Sequence, residues 1–115
     1  MHRILFALIA FMLLGNAPAL AHAYLDHANP RVGSTVSSAP REVTLWFSQK
    51  LEPSFSSAQI TDAAGARVDQ GARVEGTQIH VSVKSLAPGS YKVHWKVLSV
   101  DTHTTQGSFS FRVGR

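Results

Sequence analysis

Hydrophobic residues recur at every second position through much of this chain, and the pattern breaks at turn-forming residues. Val43, Leu45 and Phe47 alternate with Thr44, Trp46 and Ser48. Ile79, Val81 and Val83 alternate with His80, Ser82 and Lys84. Tyr91, Val93, Trp95 and Val97 alternate with Lys92, His94, Lys96 and Leu98, and Phe109, Phe111 and Val113 with Ser108, Ser110 and Arg112. A period of two sends successive side chains to opposite faces of an extended backbone, so each run predicts a strand with one apolar face. Residues 58–61 form a shorter predicted strand, closed by the turn Asp62-Ala63-Ala64-Gly65. Leu86-Ala87-Pro88-Gly89 is another turn, because Pro presets φ and Gly then permits a positive one. Residues 29–41 read as a connector after a short first strand, and 100–107 as the link between the last two strands. Short strands separated by turn signals, with no amphipathic helix, predict an all-β sandwich or small barrel. Trp46 has its own face of the strand but could lie towards either the core or solvent.

The exception to this pattern is the N-terminal segment. His2 and Arg3 precede an almost unbroken apolar run from Ile4 to Leu14, and Ala19-Leu20-Ala21 places small residues at −3 and −1 of a cleavage point. This is the layout of a secretory signal peptide, and the run is too short for a membrane span of about 20 residues. Residues 1–21 are therefore expected to be removed, leaving 22–115 as one domain that does not insert in a membrane. Ala21-His22-Ala23 also fits the cleavage pattern, so a cut after Ala23 is the competing site.

Cleavage after Ala21 leaves 94 residues, no Met and no Cys, and a net charge of +3. Lack of Cys excludes disulfides, thiolate zinc sites and blue-copper chemistry. The basic residues are scattered, without a run interleaved with aromatics, which argues against nucleic-acid binding. The cut also gives His22 a free α-amine beside its imidazole, two nitrogens that can chelate one metal ion. Asp101-Thr102-His103 supplies a carboxylate and a second imidazole. On an extended strand residues i and i+2 share a face, so Asp101 and His103 could converge on the same ion. Asp26 and His27 lie near the new terminus but read as a solvated loop, and His80 and His94 as exposed residues on polar strand faces.

The ordered set of residues resembles the CopC family of periplasmic copper-binding proteins across nearly all of 22–115. The matching positions are His22, Leu25, Pro30 and Gly33-Ser34; Pro40, Val43, Leu45, Phe47 and Ser48; Leu86, Gly89, Tyr91, Val93 and Trp95; Ser99, Asp101 and His103; and Gly107, Phe111 and Val113. The resemblance implies a Greek-key β-barrel or sandwich of about seven strands, cupredoxin-like or immunoglobulin-like. It implies one Cu(II) ion per chain, held by His22 through amine and ring together with Asp101 and His103. Two departures stand out. The stretch corresponding to a Met-rich Cu(I) loop in some members, roughly residues 58–77, has no Met, and Gln49 replaces an acidic residue common after the Phe-Ser pair.

The expected role is that of a non-enzymatic, monomeric periplasmic carrier. It sequesters Cu(II) or passes it to a CopD-type inner-membrane transporter. The competing readings are a small copper-dependent oxidative enzyme built on the N-terminal chelate, and a metal-free immunoglobulin-like module.

Overall fold

The computed structural model describes residues 23–114; residues 1–21, expected to be a signal peptide, and His22 lie outside them. Eight strands form two four-stranded sheets. They are β1 (Leu25–Asn29), β2 (Thr35–Val36), β3 (Glu42–Phe47), β4 (Ser57–Asp62), β5 (Asp69–Glu75), β6 (Gln78–Val83), β7 (Gly89–Leu98) and β8 (Thr104–Val113). A 3-10 turn, Pro53–Phe55, precedes β4. The first sheet has the order β1-β3-β6-β5 and the second β2-β8-β7-β4. All pairings are antiparallel except β2 with β8. The result is a Greek-key β-sandwich.

The alternating patterns place their apolar sets between the sheets. Val43, Leu45, Ile60, Ile79, Val81, Val93 and Val97 are fully buried, and Phe47, Trp95, Phe109 and Phe111 nearly so. Each such side chain contributes about 1.5–3 kcal/mol on leaving water, so the central strands carry most of the stability. Trp95 packs edge-on against Phe47, with centroids 5.1 Å apart. Its indole also packs against Gly107 across the β7–β8 ladder, where a Cβ would come within 2.6 Å of the ring. Gly107 is thus required by close approach of a ring. Trp46 lies on the outer face, half-buried, with the His27 ring stacked on it at 4.3 Å.

Two strands are additional to those read from the pattern. β2 is a two-residue parallel pairing inside the expected connector. β5 is an edge strand whose residues are mostly exposed, so it shows no apolar alternation. The last strand also starts earlier than expected. Thr104–Gly107 pair with Trp95–Leu98 despite their polar character, which shortens the link to residues 99–103. The ten-residue β8 then runs away from that link to the opposite end of the sandwich.

His80 departs from the expected exposure. Its side chain is only 13% exposed, because Thr44 and Arg73 flank it in the ladder and Glu42 and Glu75 close over it. Nδ1 lies 3.4 Å from a Glu42 oxygen and Nε2 3.7 Å from one of Glu75. His94 is half-buried, its Nδ1 3.0 Å from the Ser108 hydroxyl.

Candidate metal centre

The β7–β8 hairpin closes through residues 99–103. Its framework is a set of backbone bonds: Ser99 N–H donates to the His103 carbonyl at 3.0 Å, and Thr102 N–H to the Ser99 carbonyl at 2.8 Å. Val100 N–H donates to the Lys50 carbonyl at 3.0 Å, which ties the loop to the segment after β3. Thr102 adopts φ of 75°. That left-handed conformation is costly for a β-branched residue and occurs where surrounding contacts enforce it, often at functional sites.

Asp101 and His103 are therefore brought together by a tight turn and not by the shared face of a strand. His103 Nδ1 lies 3.4 Å from Asp101 Oδ1. The imidazole is 47% exposed and the carboxylate 33% exposed, so both are reachable from solvent. Beneath them Ser99 is fully buried. Its hydroxyl contacts Asp101 Oδ1 and lies 3.2 Å from the His103 carbonyl. The Ser99 hydrogen bond, with a smaller contribution from His103, holds the Asp101 carboxyl below the usual carboxylate range, against the opposing effect of desolvation. The loop thus presents an anionic oxygen beside a ring nitrogen, aimed by a buried hydroxyl. Ser99 belongs to the candidate site through this contact. Its place two residues before Asp101 marks it in the sequence, but its burial is visible only in the fold.

The start of the described chain lies against the same hairpin. Thr105 Oγ1, two residues beyond His103, donates to the Ala23 carbonyl at 2.8 Å. Tyr24 N–H donates to Ser48 Oγ and Ser48 N–H to the Tyr24 carbonyl, both at 2.9 Å. Residue 23, the sequence neighbour of His22, is therefore fixed beside the loop, and the half-buried Gln49 follows Ser48 on the same side.

Asp26 and His27 take no part in this cluster. Asp26 Oδ2 is 2.7 Å from His27 Nδ1, and His27 stacks on Trp46 on the outer face of the first sheet. Among the described residues no group of three or more His, Cys, Asp or Glu side chains is placed to hold a metal ion. Asp101 and His103 offer two donors, a nitrogen and an oxygen.

The family model of the CopC domain matches residues 25–114. The chain is 40% identical over 98 residues to Protein YobA of Escherichia coli K12, covering 81% of this chain and 79% of that protein. It is 36% identical over 110 residues to copper resistance protein C of Xanthomonas campestris pv. juglandis, covering 87% and 86%. It is 26% identical over 113 residues to copper transport protein CutJ of Bacillus subtilis, covering 94% of this chain but 21% of that longer protein. Among solved structures, CopC from Methylosinus trichosporium OB3b superposes with a TM-score of 0.76 at 34% identity, covering 81% and 94%. PcoC, a methionine-rich copper resistance protein from Escherichia coli, superposes with a TM-score of 0.71 at 30% identity, covering 81% and 99%. With a family match across the entire sandwich and solved relatives of the same architecture, this chain belongs to the CopC family.

Proposed function

We propose that this protein binds Cu(II) in the periplasm, one ion per chain, and sequesters or carries it for copper homeostasis. His22, freed by signal cleavage, supplies its amine and ring; Asp101 supplies an oxygen and His103 another nitrogen. The observation that carries this reading is the 99–103 turn. It sets a carboxylate and an imidazole side by side while the chain next to His22 is pinned to Thr105. Nitrogen and oxygen donors in this combination suit Cu(II), which favours tetragonal N/O coordination. One carboxylate lowers the formal charge of the bound dication to +1. The region from 22 onward contains no Cys or Met, so it offers no soft ligand of the kind Cu(I) prefers.

Delivery to a CopD-type inner-membrane transporter is the second part of the proposal. Its support is the match to CutJ, a copper transport protein in which a CopC-like stretch occupies about a fifth of the chain. Metal uptake must displace a proton from the His22 amine, whose reference pKa is about 7.7–8.0, so affinity falls as the medium becomes acidic.

Isothermal titration with Cu(II), on protein whose intact mass shows His22 at the terminus, tests the site. His22→Ala is expected to weaken binding well beyond about tenfold. A loss smaller than that, or a mature chain that begins at Tyr24, overturns the chelate.

A further inference from the structure

The two outer faces of the sandwich differ in charge. The first sheet exposes Glu42 and Glu75 with Arg73 between them, and carries the Asp26–His27 pair on its other edge strand. On the second sheet, the outward positions of β4, β7 and β8 hold Lys92, Lys96 and Arg112 and no carboxylate. Their neighbours are Ser, Thr and Gln side chains with His94 at the centre. Arg112 donates to the Ser90 hydroxyl, and among the described residues Lys92 and Lys96 make no ion pair. At about 3.3 Å per residue, the cations from the Ser90–Arg112 row to Lys96 extend over about 20 Å.

This spacing decides what the face can recognise. Lys92 and Lys96 stand four residues apart on β7, and Arg112 stands on β8 opposite Ser90, so the cations are spread along the face and do not converge on one phosphate or carboxylate. They match a partner whose negative charge is spread over a plane. At the rim, Phe55 is 70% exposed and lines a shallow hollow with Lys96, Leu98 and Thr104. An exposed apolar ring beside lysines suits a bilayer surface, where Phe can bury at the headgroup–acyl boundary while the cations meet anionic headgroups. Thr104 adjoins His103, so contact here brings the candidate metal centre to the edge of the membrane.

We infer that the outer face of the β2-β8-β7-β4 sheet is a reversible docking surface for anionic phospholipid bilayers. This goes beyond the copper reading and does not depend on it. Each basic residue near an anionic surface strengthens binding about fivefold. The interaction is weak for a few charges and sensitive to salt, which suits a protein that must leave the membrane again.

Co-sedimentation with vesicles tests the surface, on protein whose intact mass excludes an uncut apolar leader. Binding is expected to mixed phosphatidylcholine–phosphatidylglycerol vesicles at low salt, with release at high salt and no binding to phosphatidylcholine alone. Lys92→Gln with Lys96→Gln should weaken it about 25-fold, with an unchanged melting temperature. Arg41→Gln with Lys84→Gln, which removes the same net charge elsewhere, should change it little. Equal losses from both pairs would attribute binding to net charge and overturn the assignment. So would equal binding to neutral vesicles, or capture by polyglutamate without binding to anionic vesicles, which would point to an acidic protein partner.

Discussion

Asp69 and Asp101 are both carboxylates whose ionised form is favoured by their surroundings, yet they are built for different ends. Asp69 is closed in. Its Oδ1 accepts from Ile60 N–H at 2.9 Å and Arg67 Nε at 2.7 Å, its Oδ2 accepts from Arg67 Nη2 at 2.7 Å, and its side chain is 9% exposed. The Arg67 fork holds its pKa down, against desolvation and with help from the Ile60 amide. Asp101 takes its main support from one uncharged hydroxyl, that of Ser99, and remains one-third exposed beside an imidazole. A carboxylate whose charge is matched by a bidentate guanidinium fastens β4 to the start of β5. A carboxylate aimed by a neutral donor keeps its negative charge available to a cation.

The largest expected effect separates the two by copper binding. Asp101→Asn should reduce Cu(II) affinity at least as much as the about 10–100-fold seen when a supporting group of a metal site is lost. Asp69→Asn should leave titration by copper unchanged. The reverse holds for stability. Asp69→Asn loses charge-assisted bonds in a largely buried setting and should cost about 1–3 kcal/mol in urea unfolding, whereas Asp101→Asn should melt close to the parent. Ser99→Ala tests the aiming hydroxyl directly. A fall in copper affinity of about tenfold, accompanied by a modest loss of stability, would assign it that role; unchanged affinity would reduce it to a turn residue.

The smallest effect is the dependence of stability on acid. A carboxylate with a depressed folded pKa stabilises fully above its unfolded value of about 3.9, and that contribution disappears as pH falls through the lower folded value. The stabilisation from Asp69 should therefore be complete at neutral pH and disappear as pH falls below the usual carboxylate range. Urea unfolding at a series of acidic pH values should show a flatter profile for Asp69→Asn than for the parent.

How far the sequence foretold this arrangement depended on burial. β3, β6, β7 and the second half of β8 were legible because one face of each is apolar. β5 was not, since an edge strand with solvent around it has no need to alternate; only Val68 and Val74 of that region pack against the core. Its one local signal was Gly76-Thr77, a two-residue hairpin loop with Gly76 at φ of 62°. Asp101 and His103 were identifiable by their spacing. A turn there was one of the readings the sequence allowed, but its conformation was not legible, because a positive φ is no intrinsic preference of Thr102; the turn is held by the local Thr102 N–H to Ser99 carbonyl bond and by the longer-range bond from Val100 N–H to the Lys50 carbonyl. His80 was misjudged because its cover comes from β3 and β5, elements that sequence alternation does not bring together. The expected signal peptide, residues 1–21, and His22, the remaining expected donor, lie outside the described residues.

The direction of β8 has a practical consequence. Ten residues at about 3.3 Å each carry the chain some 30 Å from the 99–103 turn before it reaches Gly114, where a bond to the Val36 carbonyl secures it. A linker, affinity tag or electrode attachment at that distal end would leave the hairpin tip unobstructed. The same additions at the other terminus would occupy the α-amine proposed above as a copper ligand.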